Sequence, residues 1–182
     1  MGALAMAPYA AAAALLLVGG VAKLLRPADT ARALAASGLG RSELVVRVAA
    51  AAEAALGLLA VLDDQRWPAA MLAASYACFT AFVLAARRRN LPIATCGCFG
   101  VPDTPPTVTH AVVTAAAAAC GAAVAADPGR GVLGVVGTQP LAGLPWILLT
   151  ATVAGLGYAA LTSLARLEGA RHPAAQRSGG RP

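Results

Sequence analysis

Two of the chain's four cysteines, Cys96 and Cys98, stand one glycine apart in ATCGCFG, residues 94–100. Cysteine can serve as a small hydrophobe that fills gaps. That use fits poorly here, because Pro92, Pro102, Pro105 and Pro106 break the surrounding segment and leave no regular packing element. The chemical alternatives are a dithiol/disulfide couple or part of a metal site. A CxC disulfide closes a very small ring, and strained disulfides are the more oxidising and labile ones. Gly97 eases closure, since glycine adopts backbone angles denied to other residues. Arg87, Arg88 and Arg89 add positive potential that favours a thiolate. Two cysteines do not complete the four-coordinate site of structural zinc, and His110, the nearest histidine, comes twelve residues after Cys98. A two-thiolate Cu(I) site stays open as an alternative.

Glu53 is the second residue that needs an account. It lies in RVAAAAEAALGLLAV, well inside an apolar stretch, where an ionised side chain is costly and normally faces a bundle interior or a partner. Lys23, near the end of the preceding apolar stretch, is the expected partner, with a stem able to snorkel. A straight-helix count from the two inner ends leaves their depths ~12 Å apart, so a direct pair requires tilt or a kink. Cys78 and Cys120 fall inside two further apolar stretches, ~13 Å and ~20 Å from the inner ends of their helices. They read as packing residues, with a facing pair at mid-membrane as the alternative.

The elements that must position these groups follow from composition. The chain is 182 residues long, 59% hydrophobic and 12% charged, with a mean hydropathy of +0.71. These values lie outside the usage of soluble domains and describe a membrane protein. Five stretches, roughly 4–25, 43–62, 68–86, 107–126 and 143–165, approach the twenty or so residues needed to cross a hydrocarbon core. The first has no basic residue before it, while Lys23 and Arg26 follow it. It therefore reads as a retained span and not as a cleaved signal peptide. The expected fold class is all-α: an integral membrane helical bundle of about five transmembrane helices, a four-helix core plus one C-terminal span. Residues 1–166 form that single domain, and 167–182 read as a disordered basic tail.

Twelve of the fourteen basic residues fall on one side of this arrangement, leaving only Arg66 and Arg130 on the other. Lys and Arg near span ends favour the cytoplasmic side. The chain is therefore expected in the cell membrane with its N-terminus outside and its C-terminus in the cytoplasm. Tyr9, Trp67 and Trp146 would then form an outer aromatic belt. The net charge of +6 reports topology and contact with anionic lipid. No basic cluster with interleaved aromatics points to nucleic acid.

Between spans, the first connection holds a helix-like run from Asp29 to Ser37 that ends at Gly38 and suits the inner surface. Thr104 with Pro105 offers a helix start before the fourth span. The glycine-rich stretch DPGRGVLGVVGTQPLAG reads as irregular. Runs such as AVVTAAAAACGAAVAA predict helices that associate through close backbone approach between small residues, because lipid supplies no hydrophobic drive.

Three stretches carry a resemblance: GVAKLLRP closing the first span, AAEAALGLLAV in the second, and above all RRRNLPIATCGCFG before the fourth. Over about residues 10–125 the chain resembles the MauE family of methylamine utilisation proteins, a branch of the DoxX-like membrane proteins. The resemblance implies a role in maturing a disulfide-rich exported enzyme subunit of the methylamine dehydrogenase type, beside a thioredoxin-like partner. It marks Cys96 and Cys98 as the redox pair, with Lys23 and Glu53 at matching positions, and it implies no cofactor. The reading that follows is a membrane thiol–disulfide redox protein. Its alternatives are a non-catalytic membrane assembly factor and a Cu(I)-handling protein.

Overall fold

The structure is a computed structural model that describes residues 2–36, 38, 40, 42–89, 106–164 and 167. All regular structure among these residues is helical. Five helices have the length and apolar character of membrane spans. They are α1 (Gly2–Leu25), α3 (Glu43–Leu62), α4 (Arg66–Arg88), α5 (Val108–Ala126) and α7 (Leu144–Ala159), the last continued by a π turn at Ala160–Leu164. Two shorter helices, α2 (Pro27–Ala36) and α6 (Gly131–Thr138), lie in connections, and a 3-10 turn at Pro140–Gly143 leads into α7. The five spans agree with the sequence expectation to within about two residues at each end, as helix boundaries allow.

Local chemistry sets the ends. Ser42 caps α3, its hydroxyl accepting from the Val45 amide at 3.3 Å, and Glu43 follows in the first turn, where negative charge suits the helix dipole. Arg87 and Arg88 occupy the last turn of α4, where positive charge is favoured. Asp127 ends α5 directly before Pro128, whose ring disfavours helical geometry in the residue ahead of it.

The spans associate as two tight antiparallel pairs, α1 with α3 and α4 with α5, closed into a ring by α1 against α5 and by a looser seam between α3 and α4. Glycine makes both pairs tight. A Cβ at Gly20 would come within 2.6 Å of the Ala54 amide nitrogen, and one at Gly57 within 2.6 Å of the Leu17 amide nitrogen. At Gly121, in the second pair, the Ala73 amide nitrogen would be 3.0 Å away. Only hydrogen fits at the first two contacts, which is the small-residue packing the sequence implies. Tyr76 then ties one pair to the other, its hydroxyl donating to the Ala12 carbonyl at 2.8 Å. α7 packs outside this four-helix core, chiefly on α1.

Three expectations change. Tyr9 is not a belt residue: it is 3% exposed and part of the core cluster with Met6, Leu16 and Leu72. The reason is that α1 is the central helix of the bundle, touched by α3, α5 and α7, so even its outer turns are enclosed. Trp67 is exposed and Trp146 is half-buried against the core. The connection expected to be irregular contains α6, because Val132 and Val135, three residues apart, share a face that packs onto the core. The helix of the first connection starts at Pro27, two residues early, since proline is tolerated in a first turn. Its Asp29 pairs with Arg32, and Gly38 follows with a positive φ.

Candidate functional site

Lys23 and Glu53 meet. The Lys23 Nζ lies 2.5 Å from Glu53 Oε2, with side chains 13% and 28% exposed. Their depths differ less than a count from the helix ends suggests, because α1 and α3 are not level. Gly20 packs between Ala50 and Ala54, and Gly57 between Ala13 and Leu17. This register puts Lys23 level with residue 49, so Glu53 lies only one turn, ~6 Å, further in. The four-carbon stem of lysine spans that offset without a kink. The start of α3 simply projects past the end of α1.

The pair separates two cavities. One, of about 60 Å³, lies inside the ring and is lined by Glu53, Lys23, Ser75, Tyr76 and Thr114 together with apolar side chains. Its volume exceeds the roughly 10–15 Å³ that one water requires. The other, of about 200 Å³, runs along the loose seam between α3 and α4 and under α2, with Phe79, Phe82, Val46 and Leu34 among its walls. Beside the first cavity a polar strip crosses α4 and α5. The hydroxyls of Thr80 and Thr114 lie 2.8 Å apart, and Thr114 donates to the His110 carbonyl at 2.7 Å.

The stretch holding Cys96 and Cys98, residues 90–105, lies outside the described residues, as does the helix start expected at Thr104 and Pro105. Its two attachment points are described. It leaves the bundle after Arg89 and rejoins it at Pro106, and the Arg87 guanidinium donates to the Pro106 carbonyl at 3.3 Å, joining the two. α5 is then capped by Thr107. The Thr107 hydroxyl accepts from the His110 amide, and His110 Nδ1 accepts from the Thr107 amide at 3.3 Å. A backbone amide only donates, so Nδ1 is the acceptor and the neutral ring carries its proton on Nε2. This capping box was not legible as such, since histidine stands where glutamate or glutamine is usual. Because chain direction alternates, Arg89 and Pro106 share the end of the bundle that carries α2, Lys23 and Ser42.

Cys78 and Cys120 are free, the first exposed on the outside of α4 and the second half-buried against the core. Gly121 packs level with residues 69–73 of α4, which sets Cys78 more than one and a half turns, ~9 Å, away from Cys120 along the axis. They are not a facing pair. Their unequal distances from the inner ends already place them at different depths.

A ring of four membrane-length helices with a fifth outside it, and an ion pair held within, defines a multi-pass integral membrane protein. The family model described as "Methylamine utilisation protein MauE" matches residues 1–126, and the chain belongs to that family. The match stops at the last residue of α5, so α6 and α7 lie beyond it. No curated protein and no solved structure matches the chain.

Proposed function

We propose that this member of the methylamine-utilisation family is a membrane thiol–disulfide redox protein in which Cys96 and Cys98 cycle between dithiol and disulfide. One thiolate attacks a partner disulfide, forming a mixed disulfide, and the other resolves it. Electrons pass to or from a thioredoxin-like protein, in support of an exported client that carries disulfides. The N-terminus lies outside and the C-terminus inside, as the twelve-to-two partition of basic residues favours.

The observation that carries this reading is the tether. The two ends of the stretch holding both cysteines are joined by the Arg87–Pro106 hydrogen bond, and the Thr107–His110 capping box fixes the start of α5 where the stretch rejoins the bundle, at the end that holds Lys23 and α2. A thiol pair on a tethered connection beside three arginines is suited to exchange with a docked partner. Trapping tests it. Cys96→Ser or Cys98→Ser, expressed in cells, accumulates a mixed disulfide with a partner, visible as a reducible band on gels. If both single replacements leave client maturation intact and trap nothing, the redox reading fails, and the fixed helical bundle serves as a non-catalytic assembly factor.

A further inference from the structure

We propose that the seam between α3 and α4 binds an uncharged, planar, lipid-soluble ring carrying carbonyl or hydroxyl groups, a quinone or quinol type of molecule, with Lys23 and Glu53 holding its polar edge. This site stands apart from the thiol reading. Binding there requires no exchange at Cys96 or Cys98.

Four observations choose the ligand. The seam is the loosest contact in the ring, and it lies between two membrane spans, so a molecule dissolved in lipid reaches it sideways. Its cavity, about 200 Å³, is smaller than the roughly 300–1,000 Å³ of sites that enclose a drug-sized molecule. It takes a ring and leaves a tail outside, and it does not take a whole phospholipid headgroup. Phe79 and Phe82, one turn apart on α4, supply aromatic walls against which a flat ring can stack, with Val46 and Ala49 of α3 opposite.

The fourth observation is the ion pair at the end of the cavity. Lys23 and Glu53 already neutralise each other at 2.5 Å, so a ligand of either net charge would stay uncompensated in an apolar seam. What the pair still offers is hydrogen bonding. The ammonium has three donors, of which one carboxylate oxygen uses one, and the carboxylate keeps lone pairs. A carbonyl oxygen accepts from the ammonium, and a phenolic hydroxyl donates to the carboxylate. A carbonyl or phenol ring therefore satisfies both the walls and the head of the site, whereas a plain hydrocarbon satisfies only the walls.

The test uses the full chain purified in dodecyl maltoside and titrated with 2,3-dimethyl-1,4-naphthoquinone, whose substituted ring does not alkylate thiols. After subtraction of uptake by empty micelles, binding is expected to saturate. Ala49→Trp, which fills the cavity, weakens it at least tenfold. So does the paired replacement Lys23→Met, Glu53→Leu, which removes both hydrogen-bonding heads without changing net charge. Phe82→Leu, a milder change than Ala49→Trp, weakens binding several-fold in a protein of native thermal stability. The Cys96→Ser, Cys98→Ser protein binds as the native chain does. 1-Naphthoate, an anion of similar size, binds at least tenfold more weakly than the quinone.

Uptake that never saturates above the micelle background, or native affinity in the paired replacement and in Phe82→Leu, would overturn the assignment. Equal affinity for 1-naphthoate would also overturn it, pointing to general anion attraction by the basic end of the bundle. Loss of binding in the double cysteine variant would move the site to the connection and sink the seam as its location.

Discussion

Lys23 on α1 and Glu53 on α3 form an ion pair between the chain's two described cavities, held at 2.5 Å by a helix register that two glycines set. Neither partner is tolerable alone at that depth, where an unpaired charge is expensive. Together they form a polar point that the surrounding alanine and leucine side chains do not otherwise supply.

The pair therefore predicts non-additivity. Glu53→Gln leaves the Lys23 ammonium, 13% exposed, without its anion. Breaking a fully buried pair costs about 3–5 kcal/mol, and the partial exposure of Glu53 brings this nearer the lower figure. Lys23→Met leaves the carboxylate in the same position. With both replaced, the loss should fall short of the sum of the singles by about 0.5–3 kcal/mol, the range for groups in contact. Unfolding midpoints of the four proteins in one detergent measure it. Strict additivity would mean that the pair contributes nothing to stability.

The helix contact that sets this register makes a second prediction. Alanine is about 0.8–1.0 kcal/mol better than glycine inside a helix, so Gly57→Ala would stabilise an isolated α3. In the bundle, the new Cβ would sit 2.6 Å from the Leu17 amide nitrogen and 2.7 Å from the Ala13 carbonyl oxygen, both fixed backbone atoms. Overpacking of that kind costs about 1–3 kcal/mol and decides the sign. Gly57→Ala should lower thermal stability, and so should Gly20→Ala, whereas Gly155→Ala, with open space around it, should not. Equal midpoints for all three would refute the close-approach account.

How far the sequence carried this reading depends on which physical scale each feature obeys. The spans were legible because bilayer thickness demands apolar runs of near-fixed length, and five such runs exist. Glu53 stood out for the same reason, as a charge inside one of those runs. The depth of its partner was not legible. Counting from helix ends assumes that all helices begin in one plane, and the offset between α1 and α3 is set by Gly20 and Gly57, whose contacts are tertiary. Burial of Tyr9 and formation of α6 failed similarly. One depends on α1 being central and the other on Val132 and Val135 finding a surface to cover. The lining of the seam, Phe79 and Phe82 included, carried no signal that separated it from ordinary lipid-facing residues.

The capping box at the start of α5 leads to a third prediction. Thr107 and His110 satisfy each other's backbone amides where the cysteine-bearing stretch rejoins the bundle. Replacing an N-cap threonine by alanine costs about 0.5–2 kcal/mol. Thr107→Ala should therefore speed amide exchange in the first turn of α5 while leaving α4 and the far end of α5 protected. Thr107→Asp, which restores a capping oxygen, should return exchange to the native rate. A Thr107→Ala protein with native exchange there would show that the box does not hold that end of the tether.

The last prediction concerns the side on which the cysteine motif works. Arg87, Arg88 and Arg89 end α4 seven residues before Cys96, and twelve of fourteen basic residues agree with one orientation. Reversing it would place those three arginines and α2 outside, against the preference of Lys and Arg for the cytoplasmic side. The proposed topology therefore makes Cys96 and Cys98 inaccessible from outside. In a Cys78→Ala, Cys120→Ala background, a membrane-impermeant maleimide added to intact cells should leave both reduced thiols unmodified, and a permeant one should label them. Removing Cys78 matters, because it is exposed on the outer face of α4 and would be labelled by any lipid-soluble reagent. Strong labelling by the impermeant reagent would reverse the orientation and set the thiol pair beside an exported client. Protection from both reagents after reduction would instead place the motif within the bundle, since irregular backbone is tolerated at membrane depth only where protein encloses it.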